Sequence, residues 1–153
     1  MREVILALDA GGTSIKAGIL LGEEIIAERS FAFRSEEREQ MLSVFRQALA
    51  WGRDYGPACL GVACPGPFDF ARGVSHMRHK WRGLMDVPLP SVFARELPGV
   101  PVRFLHDSTA FLLGEAWQGA ARDMENPAGV MLGTGFGFTV MQRRRVLVDA
   151  NGT

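Results

Sequence analysis

Positions 4 to 8 (Val-Ile-Leu-Ala-Leu) are apolar without a polar break, the pattern of a buried strand. Asp9-Ala10-Gly11-Gly12-Thr13 then turns the chain, and Ile15–Leu21 predicts a second strand. Gly22-Glu23 makes a tight turn into a third, Ile25–Phe33, so the first stretch reads as an antiparallel meander. The period then changes. Met41, Val44, Phe45, Ala48 and Leu49 recur at helical spacing and predict a helix facing the sheet. Ser35 is its expected N-cap, Glu36 and Glu37 its first turn, and Gly52 to Gly56 its end. Cys59–Ala63 is a fourth strand, closed by Pro65-Gly66-Pro67. Residues 66 to 90 show no period and predict a long irregular loop, which in a compact domain is functional or mobile. A short helix over Pro90–Leu97 and a fifth strand over Val102–Leu105 follow. Asp107 or Ser108 is the expected cap of a helix to about Gln118, with Ala110, Leu113, Ala116 and Trp117 on one side. After a connector from Gly119 to Pro127, Gly129–Leu132 and Phe138–Met141 read as strands around a glycine turn. Arg143–Arg145 reads as a solvated hairpin tip and Val146–Val148 as a return strand.

This order predicts an α/β layer: a mixed sheet with helices packed on it. The strands after Gly119 read as the opening of a second unit, which divides the chain into residues 1–119 and 120–153. Apolar residues make up 47% of the 153 and charged residues 22%, enough for a core of useful size. The formal net charge is zero, so no global electrostatic case exists for nucleic acid or an anionic membrane. No apolar run is long enough to span a bilayer, and Met1-Arg2-Glu3 does not open a signal peptide, so a cytoplasmic protein is expected. Cys59 and Cys64 are not a C-x-x-C pair and read as buried thiols in a reducing compartment.

Asp9-Ala10-Gly11-Gly12-Thr13-Ser14-Ile15-Lys16 joins two strands. Its glycines let backbone N–H groups approach an oxyanion closely, and Thr13 and Ser14 add hydroxyls. Asp9, at a strand end, is placed to hold Mg²⁺ through water. On its residues alone the segment is also a plain hairpin with an Asx-type turn. It is not a Walker loop, which needs G-x-x-x-x-G-K-[ST] before a helix. Leu132-Gly133-Thr134-Gly135-Phe136-Gly137 is a second strand entering a glycine turn. Its third glycine comes too early for a dinucleotide fingerprint, leaving a second phosphate loop or a glycine-rich hairpin. In His106-Asp107-Ser108, between strand and helix, Asp107 is placed as a general base or as a helix cap. His76, Arg78, His79, Lys80 and Arg82, interleaved with Met77 and Trp81, either touch an anionic ligand or form a solvated loop anchored by Trp81.

The order of these motifs carries more than any one of them. A D-x-G-G-T hairpin comes first. Val62-Ala63-Cys64-Pro65-Gly66-Pro67 (V-x-x-P-G-P) follows. A strand then ends in Asp107 before Ala110…Gly114-Glu115 (A-x-x-x-G-E), and L-G-T-G-x-G closes the series. From Val4 to Thr153 the chain resembles the ROK (repressor, open reading frame, kinase) family of glucokinase-like sugar kinases. The resemblance implies an actin-like ATPase (ribonuclease H-like) fold whose second domain is truncated here. It implies ATP and Mg²⁺ as cofactors and transfer of phosphate to a sugar hydroxyl. Asp9, Gly11, Gly12 and Thr13 match the first phosphate motif, with Asp9 on Mg²⁺ through water. Gly133, Thr134 and Gly135 match the second. Asp107 matches the catalytic base, Gly66 the wall of the sugar site, and Glu115 a residue of structural role. Phosphoryl transfer needs chiefly positioning and charge neutralisation, which two glycine loops, Mg²⁺ and an Asp of ordinary pKa about 3.9 supply.

Three departures accompany the resemblance. His106 stands where the family has a sugar-binding Asn. The stretch Met77 to Trp81 lacks an expected Asn, which points to an unusual substrate. Ala150-Asn151-Gly152-Thr153 matches the run before the family's E-x-G-H segment, so this stretch alone is expected to be inactive, without the family's structural zinc cysteines. The resemblance also makes a homodimer an expectation. Its repressor branch carries a helix-turn-helix before the first motif, where this sequence has Met1 to Glu3, so DNA binding is not expected. Two other readings stand beside the sugar kinase: a non-catalytic sugar-binding or regulatory module of the same fold, and an ATPase acting on protein partners. Asp107 with the Pro-Gly-Pro corner favours sugar chemistry over the last.

Overall fold

Three consecutive strands, β1 (Val4–Ala10), β2 (Ser14–Leu21) and β3 (Glu24–Ala32), form the expected antiparallel meander in the computed structural model, which describes residues 3–34, 36–132 and 136–149. Helix α1 (Arg38–Arg53) then crosses back. Next come β4 (Cys59–Cys64), the short hairpin β5 (Phe68–Asp69) and β6 (Val74–Ser75), a 3₁₀ turn at Arg82–Leu84, α2 (Leu89–Glu96) and β7 (Val102–His106). The sheet order is β3-β2-β1-β4-β7, with β4 parallel to β1, so it is mixed as the sequence predicts. The chain forms two compact units, Met1–Phe104 and Leu105–Thr153.

Alternation along the strands decides which face of the first unit is dry. Leu6, Leu8 and Ala10 pair with Ile19, Ala17 and Ile15, and all six are buried. Met41, Phe45, Ala48 and Leu49 of α1 are buried in the same core. Each large side chain hidden in this way contributes about 1.5–3 kcal/mol. Asp9 and Lys16, directly opposed in register, have the other parity and are exposed. Gly52 is the close-approach position of α1, since a Cβ there would run into the Leu6 side chain.

Helix α1 starts later than the sequence suggests. Its N-cap is Glu37, with extended backbone and no capping side-chain bond, and Glu39 is the acidic residue of the first turn. Ser35 lies outside the described residues. The delay has a tertiary cause. Gly83 packs against the backbone of Glu36 and Arg38, and Arg38 Nε donates to the Gly83 carbonyl at 2.9 Å.

Residues 66 to 90 are less irregular than expected. Besides the β5–β6 hairpin they hold isolated bridges from Val74 to Pro88 and from Ser75 to Met85. Phe68, Phe70, Met77, Trp81 and Leu84 are all buried. At Gly73, φ is +67°, and a Cβ would meet Phe104 at 2.6 Å and Pro90 at 2.7 Å. Cys59 and Cys64 form no disulfide, and Cys64 is fully buried.

The second unit packs α3 (Asp107–Gln118) on a sheet of β8 (Ala128–Leu132), β9 (Phe136–Gln142) and β10 (Arg145–Val146). The return strand is thus shorter than Val146–Val148. Its core is Leu112, Ala116, Ala121 and Met141. Leu113 and Trp117, read as sharing one side with Ala116, are 38% and 45% exposed, whereas Ala116 is buried. Gly129 explains the rotation: Leu112 sits 3.3 Å from where its Cβ would begin, so the close approach of strand to helix selects the Leu112 side. Arg144 is not a simply solvated tip residue. At φ +59° it donates to the carbonyls of Arg122 (2.7 Å), Met124 (3.2 Å) and Ala116 (2.9 Å), tying the connector to the hairpin. Among the described residues no helix is long and apolar enough to cross a membrane.

Candidate active site

In the first unit the glycine turn follows directly from the register of β1 and β2. Pairing ends at Ala10 and Ile15, so Gly11 to Ser14 must close the hairpin, with Gly11 N–H donating to the Ser14 carbonyl at 2.9 Å. The Thr13 carbonyl accepts from Phe33 N–H at 2.8 Å, which fixes the far side of the turn against the end of β3. Gly12 and Thr13 are exposed. Asp9 lies one strand position before Ala10, on the sheet face away from α1. There it lines an open groove of about 620 Å³ together with Lys16, Gly18 and Arg29.

A contact from far along the chain completes this turn. The Trp81 indole N–H donates to the Gly11 carbonyl at 3.0 Å. Trp81 is 1% exposed and meets Phe45 edge to face at 5.8 Å and Phe33 at 6.5 Å. Its backbone is left-handed (φ 54°, ψ 33°), a conformation that costs a non-glycine residue about 1–2 kcal/mol. Burial and the hydrogen bond offset that strain. The expected anchoring by Trp81 is therefore present, and it ends on the glycine turn itself. Lys80, its neighbour, brings Cδ to 3.9 Å from where a Gly12 side chain would start. Neither contact was legible in the sequence, because 70 residues separate Trp81 from Gly11 and no local pattern links them.

Gly66 is half-buried just past the end of β4, in the Pro-Gly-Pro corner, and the Gly66–Pro67 peptide is cis.

In the second unit the N-cap of α3 is His106, not Asp107 or Ser108. Asp107 is the first helical residue, where its charge suits the helix dipole. The local bonds are dense. Ser108 N–H donates to Asp107 Oδ1 at 2.7 Å and lies 3.3 Å from His106 Nδ1. That nitrogen is also 2.8 Å from Ser108 Oγ and 3.0 Å from Asp107 Oδ1. The shorter bond marks Asp107 Oδ1 as the better acceptor for Ser108 N–H. His106 Nδ1 thus faces an N–H, a hydroxyl and a carboxylate at once, and the tautomer of the ring sets which of them it donates to or accepts from. The side chains of His106 and Asp107 remain 23% and 34% accessible, so the pair presents a carboxylate and an imidazole to solvent. Glu115 plays a structural part: its Oε2 accepts from Ala120 N–H at 2.7 Å, and its side chain fills the space beside Gly119. Gly133, Thr134 and Gly135 lie outside the described residues.

A model of the ROK family matches residues 5–153. The chain belongs to the ROK family. A β-glucoside kinase of Klebsiella pneumoniae is 28% identical over 95% of this chain and 48% of its own length. One from Listeria monocytogenes is 30% identical over 87% of this chain and 45% of its own. Among solved structures, a ROK hexokinase of Thermus thermophilus superposes with a TM-score of 0.82 at 30% identity, covering 97% of this chain and 50% of that one. A Streptomyces griseus ROK glucokinase, solved with glucose and AMPPNP, gives 0.83 at 24% identity, covering 97% and 47%, and shares the fold. This ROK chain thus spans about half the length of the curated relatives it matches.

Proposed function

We propose that the protein of which this chain is part transfers the terminal phosphate of ATP to a sugar hydroxyl. One observation carries the reading: the family match runs through the D-x-G-G-T turn and Asp107 alike, and the relatives it aligns with are kinases of β-glucosides. The stretch to residue 119 is the first ATPase domain on this reading, and 120–153 opens the second.

Each residue then has a physical task. Gly11 closes the turn, the N–H groups around Gly12 with the Thr13 hydroxyl receive phosphate oxygens, and Gly133, Thr134 and Gly135 do the same from the second motif. Asp9 offers Mg²⁺ one carboxylate at a strand end, enough for an ion that keeps most of its water and takes phosphate oxygens for the rest. Bound there, the ion would neutralise charge on the phosphates. Asp107 accepts the proton of the attacking hydroxyl, and its bond from Ser108 N–H sets the carboxylate's direction. The His106 ring hydrogen-bonds a second sugar hydroxyl, and Gly66 leaves room for the sugar. Activity is assigned to the whole protein, and the reading keeps it in the cytoplasm, where ATP is available.

The test is ADP release from MgATP by the full-length protein over a panel of aldohexoses and β-glucosides, with Asp107→Asn alongside. Loss of the base should lower kcat about 10²–10⁴-fold while the melting temperature stays within a few degrees. An Asp107→Asn protein that turns over normally would remove Asp107 from the chemistry.

A further inference from the structure

Residues 76 to 82 carry five basic side chains, and the structure separates them by what each is doing. His76 Nδ1 is 3.2 Å from Asp86 Oδ1. Arg82 Nε is tied back to the Arg78 carbonyl at 3.1 Å. Arg78 and His79 are exposed. Lys80 alone of the five has its stem beside Gly12, where Cδ lies 3.9 Å from the start of any side chain that glycine would carry. Among the described residues, no carboxylate lies within 4.0 Å of the Lys80 ammonium. Its position is held from the next residue. The left-handed turn at Trp81 sends the indole into the core and onto the Gly11 carbonyl, which leaves Lys80 lying along the outside of the same turn.

We infer that Lys80 is a further residue of the nucleotide site, an ammonium that binds the phosphate oxygens seated on the Gly11–Gly12 turn. The inference rests on the kinase reading and adds to it a charge drawn from neither glycine motif. Backbone N–H groups give a phosphate direction but only partial charge. A lysine on a flexible stem supplies a full point charge and adapts to the oxygen nearest it. Gly12 bears on this directly, because the Lys80 stem passes within van der Waals reach of where a side chain there would start. The ammonium lies two bonds beyond Cδ, so a phosphate on the turn is within its reach.

Steady-state kinetics and calorimetric binding of MgATP and MgADP to the full-length protein test this, with Lys80→Met and Lys80→Arg. Lys80→Met should raise the KM for MgATP and the Kd for MgADP about tenfold, with the sugar KM within about twofold and the melting temperature unchanged. Lys80→Arg should recover most of the loss, which a purely packing role would not predict. The gap between wild type and Lys80→Met should narrow as KCl is raised, because the missing term is a charge pair. A Lys80→Met protein with wild-type nucleotide constants overturns the assignment and leaves the kinase reading intact. A rise in the sugar KM instead moves Lys80 off the nucleotide and also overturns it. A wild-type protein that neither binds MgATP nor phosphorylates any sugar overturns both.

Discussion

Replacing Trp81 by Phe isolates the contact that ties the long 66–90 segment to the glycine turn. Phe keeps an aromatic ring against Phe45 and Phe33 but loses the N–H that reaches the Gly11 carbonyl at 3.0 Å. A hydrogen bond of this kind contributes about 1 kcal/mol net, rising toward 3 when the abandoned acceptor stays dry. Gly11 is half-buried, so water reaches its carbonyl in part and the lower figure applies. The void left by the missing ring adds about 1–2 kcal/mol, since complete removal of a buried Trp or Phe costs about 3–5. The total is about 2–3 kcal/mol. Stability alone cannot separate the bond from the void, so a control is needed. Phe93→Leu opens a comparable gap in the same core, where Phe93 is 2% exposed and packs on Phe45 and Phe104, and its side chain has no hydrogen-bonding group to offer the turn. Urea unfolding of the two variants in the full-length protein should give similar falls in midpoint. MgATP affinity should fall about three- to tenfold for Trp81→Phe and stay near wild type for Phe93→Leu. Equal losses of affinity in the two, or no loss in Trp81→Phe, would refute the idea that Trp81 positions the turn.

Two further outcomes test the packing. Gly73→Ala should cost about 2–5 kcal/mol, combining a left-handed backbone at φ +67° with a methyl driven against Phe104 and Pro90; an unchanged urea midpoint would show that the hairpin yields freely. Arg144→Ala should remove the clasp on the Arg122, Met124 and Ala116 carbonyls at a cost of about 1–2 kcal/mol. Amide exchange across Gly119–Glu125 should then quicken about 5–30-fold, and Arg144→Lys should not restore it, because one ammonium cannot span what a guanidinium fork reaches. Exchange that does not change in Arg144→Ala would deny the clasp.

What the sequence made legible, and what it hid, divides along a physical line. The meander, α1, β4 and β7 were readable because each is specified by a local period: an unbroken apolar run at Val4–Leu8, or apolar residues at helical spacing from Met41 to Leu49. The glycine turn and Asp107 were readable because their residue types sit where strands end. Most misreadings concern positions fixed by partners distant in sequence. Glu36 and Glu37 stay outside α1 because Gly83 presses on that backbone, and Leu112 rather than Leu113 turns inward because Gly129 admits it. His106 displaced Asp107 as the cap of α3 for a local reason: its ring nitrogen reaches Ser108 N–H from one residue earlier, an option residue preferences rank low. The 66–90 segment is the strongest case. Its apolar residues follow no period, since Phe68, Phe70, Met77, Trp81 and Leu84 pack into a core laid down by β1, β2 and α1 rather than building an element of their own. Such a segment reads as a loop from sequence, yet it sets the position of Trp81 on the Gly11 carbonyl and of Lys80 beside Gly12. A chain can therefore keep the glycine-turn motif of its family while residues that the motif does not contain decide what packs against that turn.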